Sequence, residues 1–308
     1  GRCDSADGQG ISAWGSAEHY CAWQCLRCSP LGEVEELHLN ETNMRGSLPA
    51  EMLSPLTSLR MLNVSSNHLA GEIPHSLWTL PLLHTIDLSA NSLSGTIAQA
   101  AANASALRLL TLDENRIKGT LPAGILALPE LERASLRGNA LSGALPTLVS
   151  PSLRAIALDS NLFSGGIPPQ LGDWTELEEL SVGNNPLGGA LPASLSKLRN
   201  LSLLHLDAAM LTGTLPSGIS LLSKLKRLDL SRNRLGGTIP AQLNDLGSLQ
   251  QLDLAFNAFS GAVPPLSALG GMQRFSLMCN QLSLPLPLGL RTVIASASIC
   301  DLSCNAFS

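Results

Sequence analysis

His205, Asp229 and Asp253 fall at the same place in three consecutive segments, each lying between the two leucines of a Leu-x-Leu triplet. If those segments stack as neighbouring strands, the three side chains stand about 5 Å apart. A histidine and two carboxylates at that spacing can share a proton or hold a cation, with Asp207 close by. The competing reading is a row of solvated acids on an open face, where a substrate is not desolvated and acid-base catalysis has little to work with. Ser194-Leu-Ser-Lys197 matches a nucleophile motif, but its companion motifs are absent, as are His-Glu-x-x-His and Gly-x-Ser-x-Gly. Cys25-x-x-Cys28 has metal-like spacing without the second pair or the histidines that structural zinc recruits. The expectation is therefore a protein with no catalysis, no metal and no cofactor.

What positions these residues is a sentence repeated about every 24 residues, Leu-x-x-Leu-x-Leu-x-x-Asn-x-Leu-x-Gly-x-Ile-Pro. Anchored on the asparagine, it runs Thr42, Asn67, Asn91, Asn115, Asn139, Asn161, Asn185, Ala209, Asn233, Asn257, Asn280 and Asn305, which makes about twelve coils. In Leu225 to Pro240, Leu228 and Leu230 alternate with Arg227, Asp229 and Ser231, the period of a short strand with one buried face. Each coil thus adds one parallel strand. The asparagine that follows turns inward, where its amide both donates to and accepts from backbone groups left unpaired by the turn. Thr42 does part of this; Ala209 cannot, so the eighth coil is expected to leave backbone groups unmet or hydrated. Gly-x-[Leu/Ile/Val]-Pro then sets an extended back and a short helical turn, as in Gly71-Glu-Ile-Pro74 and Gly237-Thr-Ile-Pro240. The third coil has Ala98 in place of proline, and Gln99 to Ala102 predict a more helical back there.

Composition agrees with one long repeat array: hydrophobic residues make up 44% against 14% charged, the signature of a stacked aliphatic core. A net charge of -5 with scattered lysines and arginines leaves no basic stripe, so nucleic acid is not an expected partner. No apolar run is long enough for a membrane span. The chain starts at Gly1 and reads as a processed or trimmed product. Seven cysteines sit only at the two ends, and sequons occur at Asn40, Asn63, Asn103 and Asn200. Together they predict a secreted, N-glycosylated protein in an extracellular setting.

The repeat resembles the plant-type extracellular leucine-rich repeat family, as found in receptor-kinase ectodomains and polygalacturonase-inhibiting proteins, over about residues 34 to 308. Cys21-Ala-Trp23-Gln-Cys25-Leu-Arg-Cys28, with Ile11-Ser-Ala-Trp14 before it, is similar to that family's cap; Cys25 replaces a glycine and the preceding capping helix is almost absent. The resemblance implies an α/β solenoid: a right-handed leucine-rich repeat superhelix with a parallel concave β-sheet, residues 34–308, behind a small disulfide-bonded N-terminal cap, residues 1–33. It also implies a Cys21–Cys28 bridge, which leaves Cys3 for Cys25. At the other end Cys279 and Cys304 each precede a ladder asparagine on adjacent coils, close enough for a disulfide, while Cys300 takes an inward leucine position and is expected to be a buried free thiol.

The family's role is recognition, so the resemblance implies a protein, peptide or glycan partner. The candidate surface is His205, Asp207, Asp229 and Asp253, with a small basic area of Arg133, Arg137 and Arg154 beside Asp159. Arginines among acids also read as an ordinary mixed surface. Aromatic anchors are scarce, with Phe256 at the margin of the face and Trp78 and Trp174 read as packing residues on the back. Glycans on Asn40 and Asn63 would shield the first coils. Two alternatives stay open: a structural matrix or fibre subunit assembling through its bare C-terminal end, and an inhibitor of a cell-wall-degrading enzyme.

Overall fold

A computed structural model of the chain describes residues 20–22, 25–148 and 150–307. The chain divides into two compact units, residues 1–142 with 150–153, and residues 143–149 with 154–308.

In the first unit, the parallel strands Val34–His38, Met61–Asn63, Thr85–Asp87, Leu109–Thr111 and Arg133–Ser135 follow one another in sequence order. Leu26–Cys28 adds an antiparallel edge strand to Val34–His38. The second unit repeats the scheme with Ala155–Ala157, Glu179–Ser181, Leu203–His205, Arg227–Asp229, Gln251–Asp253, Arg274–Ser276 and Ile299–Asp301. Apart from the five-residue Val34–His38, these parallel strands are three residues long, because each coil offers only Leu-x-Leu before its asparagine turn. Their leucines are the core: Leu204, Leu206, Leu228, Leu230, Leu252 and Leu254 are buried. Fully hiding each contributes roughly 1.5–3 kcal/mol against leaving it in water.

The backs carry short 3-10 helices, such as His75–Thr79, Ala193–Lys197 and Ala241–Asp245, each entered from a proline in extended conformation. The third coil does not become more helical. Ala98 takes φ -62° and ψ 145°, almost the values of Pro74 at -66° and 140°, and Gln99–Asn103 is a five-residue 3-10 helix like His75–Thr79 in the coil before it. Stacking between coils holds this geometry, and local helix propensity is too weak to overrule it.

The ladder is regular within each unit. Asn115 donates through Nδ2 to Leu112 O (3.1 Å) and to Leu88 O of the preceding coil (3.0 Å), and its Oδ1 accepts from Leu93 N (2.9 Å). Asn257 makes the same three bonds in the second unit. Thr42 covers Leu39 O with its hydroxyl at 2.7 Å. At Ala209 the expectation of unmet groups is overturned. The N–H of Leu187, which a ladder asparagine at 209 would have received, turns back to Asn185 O at 2.8 Å. Asn233 Oδ1 accepts from both Ala209 N and Leu211 N, and Asn185 Nδ2 takes Val182 O. A local turn at Asn185-Pro186-Leu187 replaces the missing amide.

In the cap, Cys21 and Cys28 are bridged with their Cα atoms 5.7 Å apart. Cys25 is also disulfide-bonded, so neither cysteine of the Cys25-x-x-Cys28 pair supplies a thiolate for zinc. Cys3, its expected partner, lies outside the described residues. At the other end Cys279 and Cys304 are free thiols in this structure, and one expectation is corrected. Cys300 does hold the inward register opposite Phe275, yet it is exposed, because among the described residues only Arg274–Ser276 pairs with its strand Ile299–Asp301.

Candidate recognition face

In the second unit the register sets Ala157, Ser181, His205, Asp229, Asp253, Ser276 and Asp301 side by side on consecutive strands. His205, Asp229 and Asp253 are thus brought together, and all three are half-buried. Each acid also has a structural task. Asp229 Oδ1 accepts from Ser231 N (2.9 Å) and Ser231 Oγ (2.7 Å), and Asp301 does the same with Ser303. Such Asx-type bonds hold the chain as it leaves the strand.

One difference separates equivalent acids. Asp301 is held below the usual carboxylate range by the hydroxyl and N–H of Ser303. Asp253 sits in a turn with Ala255 where Asp301 has Ser303, so it accepts one N–H bond only. Burial outweighs that bond and pushes Asp253 up.

Two residues beyond this row stand Asp159, Gly183 and Asp207. Asp159 Oδ1 accepts from Ser181 Oγ (2.5 Å) and from Gly183 N (3.1 Å). Asn184 donates through Nδ2 to Asp207 Oδ2 at 3.0 Å. A Cβ on Gly183 would collide with the Asp207 carboxylate, so glycine makes the space in which that carboxylate lies. Asp207 is pushed up by burial first, then by the charges of Asp229 and Asp159. These acids tie coil to coil, and none is poised against His205 by a hydrogen bond that the structure records.

Arg154 is engaged with Glu178 at 2.8 Å on the surface. Arg133 and Arg137 belong to the first unit and are exposed, with the Arg137 N–H donating to Asp113 Oδ1 at 2.7 Å. The Ser194-x-x-Lys197 pair is not a nucleophile and base: Ser194 Oγ donates to Pro169 O at 2.6 Å, and Lys197 Nζ meets Asp173 at 3.2 Å. In the first unit a cavity of about 960 Å³ is walled by Leu26, Leu37, Leu48 and Leu62, an end of the aliphatic core with little chemistry to offer. Among the described residues no group of three or more His, Cys, Asp or Glu is placed to hold a metal ion. No helix among them is long and apolar enough to cross a membrane.

The sequon asparagines differ in their surroundings. Asn63 faces outward on its strand and its Oδ1 accepts from Ser65, and Asn40 lies half-buried just past Val34–His38. Asn103 is exposed at the end of Gln99–Asn103. Asn200 is tied on both sides, donating to Thr175 O at 3.0 Å and accepting from Lys224 Nζ at 2.7 Å.

Sequence reasoning missed a set of exposed apolar residues in the unit that carries these acids. The position after the ladder residue carries Leu162, Pro186 and Met210 on three consecutive coils of the second unit, with Leu162 54% and Met210 51% exposed. The same position elsewhere holds Asn43, His68, Ser92, Arg116, Arg234 and Gln281, or alanine at Ala140, Ala258 and Ala306. Just before the ladder, Arg232 lies over the ring of Phe256 at 5.0 Å. The signal was present in the sequence as large apolar residues at a place in the repeat that otherwise holds polar residues or alanine.

Three segments, residues 58–80, 176–198 and 224–246, match the Leucine Rich Repeat family. The leucine-rich repeat receptor-like serine/threonine-protein kinase RGI4 of Arabidopsis thaliana is 38% identical over 91 residues, which is 29% of this chain and 8% of that protein. Among solved structures, a TDR receptor superposes with a TM-score of 0.85 at 32% identity, over 89% of this chain and 48% of that one. The receptor kinase HAESA of Arabidopsis, in complex with the peptide hormone IDA and the co-receptor SERK1, gives 0.69 at 28% identity, over 91% and 44%. The chain therefore spans a small part of its curated relative and about half of these ectodomain chains. It is a leucine-rich repeat protein, similar in its coils to plant receptor-kinase ectodomains.

Proposed function

We propose that this chain is an extracellular or cell-surface recognition module, without catalysis of its own, that binds an extended peptide or protein segment across the strand face and adjoining turns of the second unit. The observation that carries the reading is the set of exposed residues Leu162, Pro186 and Met210 at one repeat position on consecutive coils, in the unit that also carries Asp207 and Asp229. Exposed apolar side chains in a contiguous row mark interaction surfaces, and the acids of that unit favour a partner with basic residues next to aliphatic ones. The likeness to an ectodomain whose structure holds a peptide hormone supports the class of partner. Inhibition of a wall-degrading enzyme would be one form of the same protein recognition.

The test is selection of a displayed library of random linear peptides against the purified chain. Enriched sequences should carry Lys or Arg beside aliphatic residues, and binding should weaken at least about tenfold in a Leu162→Asp, Met210→Asp double variant, as expected for hot-spot anchors. Unchanged binding in a variant with native circular dichroism overturns the assigned surface. Enrichment of nothing by peptides, with saccharides retained on a glycan array, would make the partner a glycan. Concentration-dependent self-association in light scattering would favour assembly through the end of the second unit, where Leu288 and Ile299 are exposed.

A further inference from the structure

The thiols left over by the cap are not scattered. Cys279 and Cys304 occupy the same position of successive coils in the second unit, each in the left-handed region, with φ 51° and 59°. Matching backbone conformations aim their Cβ atoms the same way. Their backbones are tied directly, Cys279 N to Ser303 O at 2.9 Å and Asn280 N to Cys304 O at 3.1 Å. Adjacent strands run about 4.8 Å apart, inside the Cα window of roughly 4.4–6.8 Å that a disulfide needs. Side chains of this position do meet across coils, as Arg232 and Phe256 show two steps earlier in the same row.

We propose that Cys279 and Cys304 are an oxidative modification site, closed to a cystine that ties the Ile299–Asp301 coil to the one before it. Cys279 is pushed up to about 11, first by the neighbouring Cys304 thiol. Cys304 is exposed and Cys279 half-buried, so a small oxidant reaches them. The third thiol, Cys300, belongs to the inward row opposite Phe275 and points away from this pair. With a small-molecule disulfide as oxidant the reaction balances. One thiolate attacks it and expels the first reduced thiol, and the neighbouring thiol then displaces the second; two S–H bonds break, one S–S bond forms, and two electrons and two protons pass to the oxidant. The setting fits, since the same chain carries the Cys21–Cys28 bridge. An oxidising compartment is part of the reading above, but closure of the pair in vitro does not depend on any partner.

The experiment takes the intact purified chain through a glutathione redox series. Proteolytic mapping should show a Cys279–Cys304 linked peptide, with Cys300 still alkylatable. Amide exchange of Ile299–Asp301 should then slow by about tenfold or more, given what closing a loop of this size adds to local stability. Cys300→Ser should leave the link intact, and Cys279→Ser should abolish it together with the slowing. A link through Cys300, a link between two molecules, or stable glutathione adducts on Cys279 and Cys304 without closure would each overturn the proposal.

Discussion

Asp207 shows how a residue chosen for possible chemistry is used by the fold instead. Its carboxylate lies over Gly183 and accepts from Asn184, while burial and the charges of Asp229 and Asp159 hold its pKa above the ordinary value. The sign follows directly. A carboxyl whose folded pKa is raised is favoured when protonated, so its contribution to stability is full below the unfolded pKa and is lost as pH rises through the folded one. Asp207→Asn keeps an acceptor for Asn184 and removes the charge. The variant should therefore be more stable than the parent at neutral pH, and the gap should close as pH falls below about 4, the unfolded value. Urea unfolding of both proteins across that range checks it; a gap that widens in acid would mean that the carboxylate is stabilised, not strained, by its surroundings.

At the scale of one coil, the strand, the asparagine turn and the leucine rows were legible because their spacing is strict. The same strictness explains what was not. Ala98 was read from its own helix propensity, but its conformation is set by the coils stacked on either side. Ala209 was read as a gap, but Pro186 in the coil before it permits a turn that recovers the Leu187 N–H. Cys300 was read as buried from its register, and register alone does not say whether a second neighbour is there. Contacts between coils are the part a single repeat does not encode, and Gly172 is a sharp case. In the 3-10 helix Pro169–Asp173 its missing side chain lets Ser194 of the next helix approach, and a Cβ there would come within 2.6 Å of Ser194 Cβ. Gly172→Ala should cost about 1–3 kcal/mol through overpacking, although alanine is the better helix former. Gly247→Ala, where a Cβ meets nothing within 4 Å, is the control and should leave the melting temperature nearly unchanged.

Over the whole molecule, each coil touches mainly its neighbours, so stability is close to a sum of coil and nearest-neighbour terms and damage should stay where it is made. Asn233 offers the test because the eighth coil leans on it twice. Its Oδ1 accepts from Ala209 N and Leu211 N, and its Nδ2 donates to Leu206 O and Leu230 O, all in buried surroundings. Asn233→Ala strands these groups with no ladder residue at 209 to share them, at a cost of roughly 2–4 kcal/mol if each stranded group is charged about its desolvation penalty and water recovers part. Asn257→Ala breaks one N–H acceptor bond fewer and should cost less. Hydrogen exchange then separates local from global loss: amides of Leu203–His205, Arg227–Asp229 and Gln251–Asp253 should lose protection in Asn233→Ala, while those of Met61–Asn63 and Thr85–Asp87 in the first unit keep theirs. Equal loss in both sets would show one cooperative block and remove the premise that a binding surface can be varied coil by coil without disturbing the rest.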